Sequence, residues 1–272
     1  MAVVCRVESW FELMKVVILC GGQGTRLREQ TEVIPKPMVE IGGRPILWHI
    51  MKTYAFYGLT EFVLCLGYKG HAIKDYFLNY DFRTNDFTVS LGEHSNVSID
   101  RRSGESGWKV SMVETGEKAM TGARLYRVKD YLNDEPFCLT YGDGLANIDI
   151  KALLDFHVQQ KKMVTVTGVR PLGRFGELEL DGNRVRAFAE KPQVTESFIN
   201  GGFFVMEPEF IDNYLSGDDD QSLEGTPLQR AAAAGEMMMY PHTGFWQCMD
   251  TFREWKMLEE MWANEKAEWR VW

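Results

Sequence analysis

The residues best suited to phosphate chemistry lie near the N-terminus, at positions 21–26 (GGQGTR). They directly follow residues 15–20, a β-branched apolar run with the length of a buried strand. Glycines let a backbone approach a ligand closely, and amide groups at a strand-to-helix turn bind anions. Arg26 adds a guanidinium that can hold a phosphate through two parallel hydrogen bonds. The spacing fits neither the Rossmann nor the Walker pattern, so an ordinary tight turn is the alternative interpretation.

A lysine follows ten residues later, in the sequence Pro35-Lys36-Pro37. The two prolines restrict the backbone on both sides of Lys36, so its ammonium can be directed at one place. A solvated loop lysine is the alternative. Combined with the glycine-rich segment and Arg26, Lys36 would complete a binding site for a polyphosphate.

Asp143 lies between two glycines and follows a third apolar run, residues 137–141. In a parallel α/β sheet, ligands bind at the carboxyl ends of the strands, which is where this carboxylate is expected. Mg²⁺ prefers one or two carboxylates together with phosphate oxygens and water. An ordinary Gly-Asp-Gly turn is the alternative interpretation.

The elements that must position these residues alternate along the chain. Apolar strand-like runs occupy 15–20, 62–67, 137–141 and 164–169, and helical patterns occupy 45–57, 71–80 and 148–162. This order indicates βαβ units, so we predict an α/β fold with a Rossmann-like, mainly parallel sheet flanked by helices.

Three segments depart from this pattern. Residues 81–124 contain alternating runs at 88–90, 98–100 and 109–113, which predict an exposed, β-rich, hairpin-like insert. Residues 177–181, 184–188 and 202–206 predict antiparallel strands, with a hairpin turn at 181–183. Residues 216–225 predict an acidic surface loop. The last two of these segments belong to a C-terminal elaboration that ends in a helix from Thr251, whose apolar face carries four side chains: Trp255, Leu258, Met261 and Trp262.

Composition limits the class of protein. The chain has 272 residues, of which 45% are hydrophobic, and 30 basic against 39 acidic residues leave a net charge of −9. Such a chain is globular, and its acidity disfavours non-specific binding to nucleic acid. No apolar run approaches the roughly 20 residues of a membrane-spanning helix. Five scattered cysteines predict neither a zinc site nor a disulfide framework, which fits a reducing cytoplasm. We predict an N-terminal extension, 1–13, outside a single domain, 14–272.

Several motifs occur in order along the chain: LCGGQGTRL and IPKPMVEIGGRPILWHIM, then GYKG (67–70), YGDG (141–144), EKP (190–192), NGGFF (200–204) and FWQCMDT (245–251). Together they closely resemble the nucleotidyltransferases that make nucleotide sugars from a nucleoside triphosphate and a sugar 1-phosphate. The stretch VEIGGRPILWHIM resembles the subgroup that uses CTP and glucose 1-phosphate. The resemblance extends from Met14 almost to the C-terminus.

The resemblance implies a reaction and a set of residues. A phosphate oxygen of glucose 1-phosphate attacks the α-phosphorus of CTP, and pyrophosphate leaves. Asp143 and Asp250 are implied as ligands of Mg²⁺, and Arg26 and Lys36 as the catalytic cations. From the sequence alone, Asp250 is equally an N-cap of the helix that begins near Thr251.

The resemblance also implies binding residues. For the nucleotide they are Leu19, Gly21, Gly22, Gln23, Gly24, Thr25, Ala119, Thr121, Gly122, Arg124 and Gly142. Gly122 is expected in a tight turn, and Arg124 is either a contact to the base or phosphate or an exposed arginine that opens an element. For the sugar they are Glu190, Lys191, Asn200 and Gly201.

Two other functions remain open at this point. One is a thymidylyl- or uridylyltransferase for the same sugar phosphate. The other is a regulatory subunit that binds a nucleotide sugar without turnover. Relatives are commonly oligomers, so we expect a homo-oligomer, with a hexamer as one candidate, that supplies nucleotide sugars for surface polysaccharides.

Overall fold

The structure is a computed structural model that describes residues 14–22, 34–91, 96–100, 104–105, 107–170, 177–181, 184–189 and 197–272. Its strands are β1 (Lys15–Leu19), β2 (Glu40–Ile41), β3 (Arg44–Pro45), β4 (Glu61–Leu66), β5 (Asp86–Ser90), β6 (Asn96–Asp100), β7 (Lys109–Glu114), β8 (Phe137–Tyr141), β9 (Gly144–Ala146), β10 (Val164–Val169), β11 (Glu177–Asp181), β12 (Arg184–Ala189), β13 (Ile199–Met206), β14 (Met237–His242) and β15 (Trp246–Cys248).

The helices are α1 (Ile46–Phe56), α2 (Gly70–Leu78), α3 (Tyr80–Thr84), α4 (Thr121–Arg127), α5 (Ile150–Gln160), α6 (Glu209–Tyr214), α7 (Thr226–Ala233) and α8 (Phe252–Ala263), with short 3-10 turns at Lys36–Met38 and Lys129–Tyr131. Their order confirms the predicted alternation of strands and helices. Strands β8 and β10 have the bounds that the sequence predicts, and α1 lies within its predicted range.

The main sheet has the strand order β14-β10-β13-β8-β1-β4-β7. Strand β1 pairs in parallel with both β4 and β8, whereas β13 runs antiparallel to β8 and β10. The predicted α/β fold with a mainly parallel sheet is therefore confirmed. The strand at 202–206 is antiparallel, as predicted, but it lies inside the main sheet.

Both faces of the sheet are covered, which explains the uninterrupted apolar character of β1. Val16 and Ile18 belong to a core beneath α1 and α5, whereas Val17 and Leu19 belong to a second core beneath α4, α6 and α7. A strand with two buried faces has no polar alternation, because successive side chains enter opposite cores. The centre of the sheet is thus a rigid support for the loops at its edge.

One prediction for the 81–124 segment is wrong. Strands β5 and β6 do form an exposed hairpin, but β7 pairs in parallel with β4 at the edge of the main sheet. Strand β7 is only half-buried, so its side chains alternate in polarity like those of an insert. The alternation reflects its edge position. At 177–189, β11 and β12 form the predicted hairpin, and its turn residues 182–183 lie outside the described residues.

The tryptophan-rich tail covers the first core. Trp269 is fully buried and stacks on Trp262, and both rings contact the edge of His49. This arrangement fits the predicted apolar face of α8. In the described residues, no helix is long and apolar enough to span a membrane. The predicted extension, 1–13, lies outside the described residues.

Candidate active site

One edge of the sheet collects most of the predicted site residues. Parallel strands β1, β4 and β8 all end there, so Gly21 and Asp143 follow the carboxyl ends of β1 and β8. Because β13 runs in the opposite direction, its first residues, including Asn200, lie at the same edge. This is the edge at which parallel α/β sheets bind ligands.

A cleft of about 520 Å³ opens at this edge. The predicted residues that line it are Leu19, Gly21, Gly22, Lys36, Ala119, Thr121, Arg124, Gly142, Asp143 and Asp250. Clefts of this size hold ligands such as nucleotides. Gln23, Gly24, Thr25, Arg26, Glu190 and Lys191 lie outside the described residues, so their predicted roles stay predictions.

Lys36 is the centre of charge in the cleft. Its Nζ donates a hydrogen bond to Asp143 Oδ2 at 2.5 Å and to Asp250 Oδ1 at 2.7 Å, and its side chain is 11% exposed. Burial acts to lower the pKa of Lys36, but the charges and hydrogen bonds of Asp143 and Asp250 raise it above its usual value. The ammonium is therefore charged throughout the neutral range, and it is not a solvated loop residue.

A small two-stranded antiparallel sheet brings the two carboxylates together. Strand β9 pairs antiparallel with β15, and the amide of Met249 donates to the carbonyl of Asp143 at 2.8 Å. Asp143 immediately precedes β9, and Asp250 follows β15 by two residues. The pairing of these short strands therefore sets the separation of two side chains that are far apart in sequence.

Asp250 is not the N-cap of α8. Thr251 takes that position and accepts a hydrogen bond from the amide of Glu254 at 3.3 Å. The Glu254 carboxylate in turn accepts from the amides of Thr251 and Asp250, at 2.8 and 2.7 Å. This capping box satisfies the helix terminus with other residues. The carboxylate of Asp250 is thereby directed towards Lys36.

Asp143 and Asp250 have the chemistry of a magnesium site. One oxygen from each carboxylate already lies within 2.7 Å of a single cationic atom, the Nζ of Lys36. Mg²⁺ is bound in proteins by one or two carboxylates, with phosphate oxygens and water completing its shell. Among the described residues, no group of three or more His, Cys, Asp or Glu side chains could hold a metal, so the described part of the site offers the pair Asp143 and Asp250. A pair fits an ion that is shared with a phosphorylated substrate.

Gly142 allows the strand end to approach the lysine segment. A Cβ on Gly142 would lie 2.9 Å from Pro37 Cγ and 3.0 Å from the carbonyl oxygen of Leu19. The Gly142 amide donates to that carbonyl at 3.1 Å. A side chain here would separate β1 from the Lys36 segment, so the glycine is required by packing at the floor of the cleft.

Arg124 holds the loop that precedes α4. Its side chain is buried, with the residue 4% exposed, and it donates to the carbonyls of Leu66 and Gly21 at 2.9 and 3.1 Å. It also donates to the carbonyls of Gly116 and Glu117, at 2.8 and 3.3 Å. The interpretation as an exposed arginine is wrong, since Arg124 lies inside α4 and turns into the protein. Its contact with a base or phosphate stays a prediction.

Thr121 and Gly122 open α4, and the loop at 216–225 packs against them. The amide of Gly122 donates to the carbonyl of Gln221 at 3.0 Å, and a Cβ on Gly122 would lie 2.8 Å from that oxygen. Gly122 is therefore not in the predicted tight turn. It is a helical residue, and its lack of a side chain admits the neighbouring backbone.

The predicted sugar side is connected to the cleft through Tyr141. The amide group of Asn200 donates to Tyr141 Oη at 3.2 Å, and the Asn200 side-chain oxygen accepts from the amide of Gly202 at 2.8 Å. The carbonyl of Gly201 accepts from the indole of Trp246 at 2.7 Å. Asn200 and Gly201 do not themselves line the 520 Å³ cleft, but they adjoin a residue that does.

Comparison with known proteins identifies the family. The model of the nucleotidyl transferase family matches residues 15–255. This chain belongs to the nucleotidyl transferase family. The glucose-1-phosphate cytidylyltransferase of Salmonella typhi is 49% identical over 260 residues, which are 95% of this chain and 100% of that protein.

Solved structures of other nucleotidyltransferases share the fold. HddC from Yersinia pseudotuberculosis superposes with a TM-score of 0.67 at 24% identity, over 92% of this chain and 99% of that one. A UDP-glucose pyrophosphorylase in complex with UDP-glucose superposes with a TM-score of 0.66 at 15% identity, over 93% and 99%. At these identities the likeness concerns the fold.

The site of this nucleotidyltransferase includes residues that the sequence did not single out. Tyr141 and Glu117 line the cleft, and Glu224 bonds to residues at its rim. Tyr141 is part of the YGDG motif, so its proximity to Asp143 was a usable signal. Glu224 lies among other acidic residues of a surface loop, and nothing in that pattern distinguishes it.

Arg124→Lys tests the support of the loop before α4. Lysine keeps the charge but cannot reach carbonyls on both sides of the loop, because it lacks the planar fork of arginine. We expect the free energy of unfolding to fall by about 1–3 kcal/mol, with weaker nucleotide binding. Urea unfolding and calorimetric titration with CTP measure the two effects. Arg230→Lys, on the exposed face of α7, is the matched control, and an unchanged CTP affinity in Arg124→Lys would contradict the role.

Proposed function

We propose that this chain transfers the cytidylyl group of CTP to α-D-glucose 1-phosphate, which gives CDP-glucose and pyrophosphate. The observation that carries the proposal is the full-length 49% identity with a glucose-1-phosphate cytidylyltransferase. The cluster of Lys36, Asp143 and Asp250 in the cleft supports an active enzyme, since a subunit that only binds needs no such convergence of charges. This argues against the regulatory-subunit alternative.

The chemistry requires positioning and charge neutralisation rather than a protein nucleophile. An oxygen of the sugar phosphate forms a bond to the α-phosphorus of CTP, and the bond from that phosphorus to the pyrophosphate oxygen breaks. The nucleophile is already ionised, so no base needs to remove a proton from it. Preorganised cations that face the developing charge supply most of the rate enhancement in such reactions. Lys36 is the described cation in that position, and we assign the same role to Arg26.

We infer that Asp143 and Asp250 hold Mg²⁺ together with the phosphates of CTP. The ion supplies charge neutralisation and a template for the phosphate oxygens when it is bound. Lys36 keeps the two carboxylates close together before the substrate arrives. It thereby lowers the electrostatic cost of two neighbouring negative charges.

Residues 115–120 are the proposed reader of the cytosine base. Arg124 holds the carbonyls of Gly116 and Glu117, and the amide of Met120 donates to the carbonyl of Asp219 at 2.8 Å. A backbone fixed at both ends presents its remaining polar groups in one arrangement, and Ala119 lies between these anchors at the cleft. A rigid hydrogen-bonding site of this kind discriminates strongly between ligands.

We assign Asn200 and Gly201, which the structure describes, to the sugar site. We assign Glu190 and Lys191 to the hydroxyls and phosphate of the same ligand. The side chain of Asn200 is exposed and already oriented by Tyr141 and the Gly202 amide. An oriented amide can bond to a sugar hydroxyl with little loss of side-chain entropy.

Pyrophosphate release from glucose 1-phosphate with each of CTP, dTTP, UTP and GTP tests the proposal. We expect kcat/KM to be highest with CTP by at least about tenfold, because a base site built from hydrogen bonds rejects partners that it cannot satisfy. A preference for dTTP or UTP would establish the alternative nucleotidyltransferase. Binding of CTP without pyrophosphate release would favour the regulatory subunit.

We further propose that residues 14–272 form one nucleotidyltransferase domain and that the enzyme is a cytoplasmic homo-oligomer, with a hexamer as one candidate. Its product would serve as a nucleotide sugar for surface polysaccharides such as the lipopolysaccharide O-antigen. The assignment to the cytoplasm rests on the scattered cysteines and on substrates made inside the cell.

A further inference from the structure

Glu224 differs from the other acidic residues of the 216–225 loop, because its carboxylate accepts hydrogen bonds from two residues that line the cleft. Tyr141 Oη donates to Glu224 Oε1 at 2.5 Å, and Thr121 Oγ1 donates to Glu224 Oε2 at 2.6 Å. Thr121 is the first residue of α4, whereas Tyr141 is the last residue of β8. One carboxylate thus connects two elements that are distant in sequence.

The carboxylate is itself held in place. The hydroxyl of Ser222 donates to Glu224 Oε2 at 2.6 Å, and the amide of Leu223 donates to Thr121 Oγ1 at 2.9 Å. Leu223 is fully buried in the second core, which anchors the loop beside Glu224. Burial acts to raise the pKa of Glu224, but hydrogen bonds from Ser222, Thr121 and Tyr141 lower it, so the group is ionised at neutral pH.

The two oxygens of Glu224 bond to lining residues from two different elements of the cleft. Thr121 follows the proposed base-reading segment, and Ala119 of that segment lines the cleft beside it. Tyr141 precedes the Gly142-Asp143 turn and accepts a hydrogen bond from Asn200 on the proposed sugar side. The path from one substrate site to the other therefore passes through Thr121, Glu224 and Tyr141.

We propose that Glu224 is a positioning residue that keeps the nucleotide side and the sugar-phosphate side of the cleft in register. The role rests on the proposed cytidylyl transfer, in which an oxygen of one substrate must meet the phosphorus of the other in line. Small errors in that alignment cost large factors in rate. Glu224 touches neither reacting atom and acts through its two partners.

An ionised carboxylate is needed because all of its side-chain partners approach as hydroxyl donors. Glutamine has one acceptor oxygen, and its amino group only donates. If that oxygen keeps Thr121 and Ser222, the amino group faces Tyr141 Oη, which already accepts from Asn200. In that orientation the Tyr141 hydroxyl proton loses its acceptor, and in the other orientation the hydroxyl protons of Thr121 and Ser222 lose theirs. Glu224→Gln therefore weakens the hydrogen bonding between Thr121 and Tyr141 while keeping the size of the side chain.

The experiment compares Glu224→Gln with Asp220→Asn in steady-state assays that vary each substrate at saturation of the other. Asp220 is an exposed residue of the same loop, with no hydrogen bond among the described residues, so its variant controls for the lost charge. We expect Glu224→Gln to lower kcat and to raise KM for both CTP and glucose 1-phosphate, with a total loss in kcat/KM of about tenfold or more. We expect Asp220→Asn to match the wild type, and the melting temperature of both variants to stay near that of the wild type.

Variants that remove only one of the two hydroxyl partners of Glu224 separate a positioning role from a contribution to fold stability. Tyr141→Phe is expected to raise KM for glucose 1-phosphate more than for CTP, and Thr121→Val the reverse. In the Glu224→Gln background, Tyr141→Phe should cost little more, because interactions in one network are not additive. Three results would overturn the role: losses that multiply in the double variant, kcat and KM values in Glu224→Gln equal to those of the wild type, or a loss that follows only the melting temperature. If the wild type is active and Glu224→Gln has the same kinetic constants, the positioning role alone is wrong. If the wild type releases no pyrophosphate with CTP, the proposed function is wrong as well.

Discussion

Lys36→Ala is expected to lower kcat for pyrophosphate release by about 10²–10³-fold, the usual cost of removing one preorganised charge-stabilising donor. Lys36 Nζ lies between the carboxylates of Asp143 and Asp250, and these partners raise its pKa despite burial. The lost positive charge is therefore present at every pH at which the enzyme would be assayed. Lys118 and Arg124 also line the cleft, so the prediction concerns the ammonium that bonds to both Asp143 and Asp250.

The loss must be separated from misfolding, because Lys36→Ala also leaves two neighbouring carboxylates without their shared cation. Melting temperature in the presence of Mg²⁺ and CTP reports whether the fold survives. Lys36→Met keeps the bulk of the side chain and should show the same loss in kcat. Lys151→Ala, on the exposed face of α5, is the matched control and should be fully active. Near-normal turnover by Lys36→Ala would refute the catalytic assignment.

Asp143→Asn should lower kcat/KM by about 10² or more and should shift the Mg²⁺ dependence to higher concentrations. Asparagine has nearly the same size and keeps one oxygen, so the substitution removes charge rather than volume. Backbone geometry at this position is set by the antiparallel pairing of β9 with β15, beside which the carbonyl of Asp143 accepts from the amide of Met249. That bond remains in the variant, and the fold should therefore be retained.

Two measurements test the metal role of Asp143. Pyrophosphate release is titrated with Mg²⁺, and CTP binding is measured by calorimetry with and without the ion. The variant should lose most of the gain in CTP affinity that Mg²⁺ provides. Asp75→Asn, on the exposed face of α2, changes the same charge far from the cleft and should behave as the wild type. An unaltered Mg²⁺ profile in Asp143→Asn would contradict the assignment of Asp143 and Asp250 to the ion.

Local pattern predicts the central strands of this fold well. The main sheet buries both faces of β1 and β8, so their sequences are uninterrupted apolar runs that any window detects. The pattern fails at β7, where an edge position leaves the strand half-buried and alternating. Such a strand resembles one of an exposed hairpin, because exposure on one face produces the same alternation in both cases.

In the candidate site, too, local motifs predict some residues, whereas others are recognised only from the tertiary structure. Gly142, Lys36 and Asp143 were found because short motifs carry them and their chemistry is recognisable. The buried hydrogen bonds of Arg124 and the role of Glu224 were not predicted. They depend on partners from distant segments: the carbonyls of Leu66 and Gly21 for the arginine, and the hydroxyls of Thr121 and Tyr141 for the glutamate. A single side chain in a sequence does not reveal which backbone will surround it.

The sequence by itself determined the order of the elements, the phosphate-binding chemistry and the family, because these depend on residue types and on spacing within short segments. It also predicted a cleft with local positive charge in a chain whose net charge is −9, and Lys36 lines that cleft. Only the tertiary structure decided that Lys36 lies between Asp143 and Asp250, that Thr251 rather than Asp250 caps α8, and that Glu224 connects the two sides of the cleft. The physical reason is that each of these depends on strand pairing and loop packing between segments more than 80 residues apart or on competition for one helix terminus.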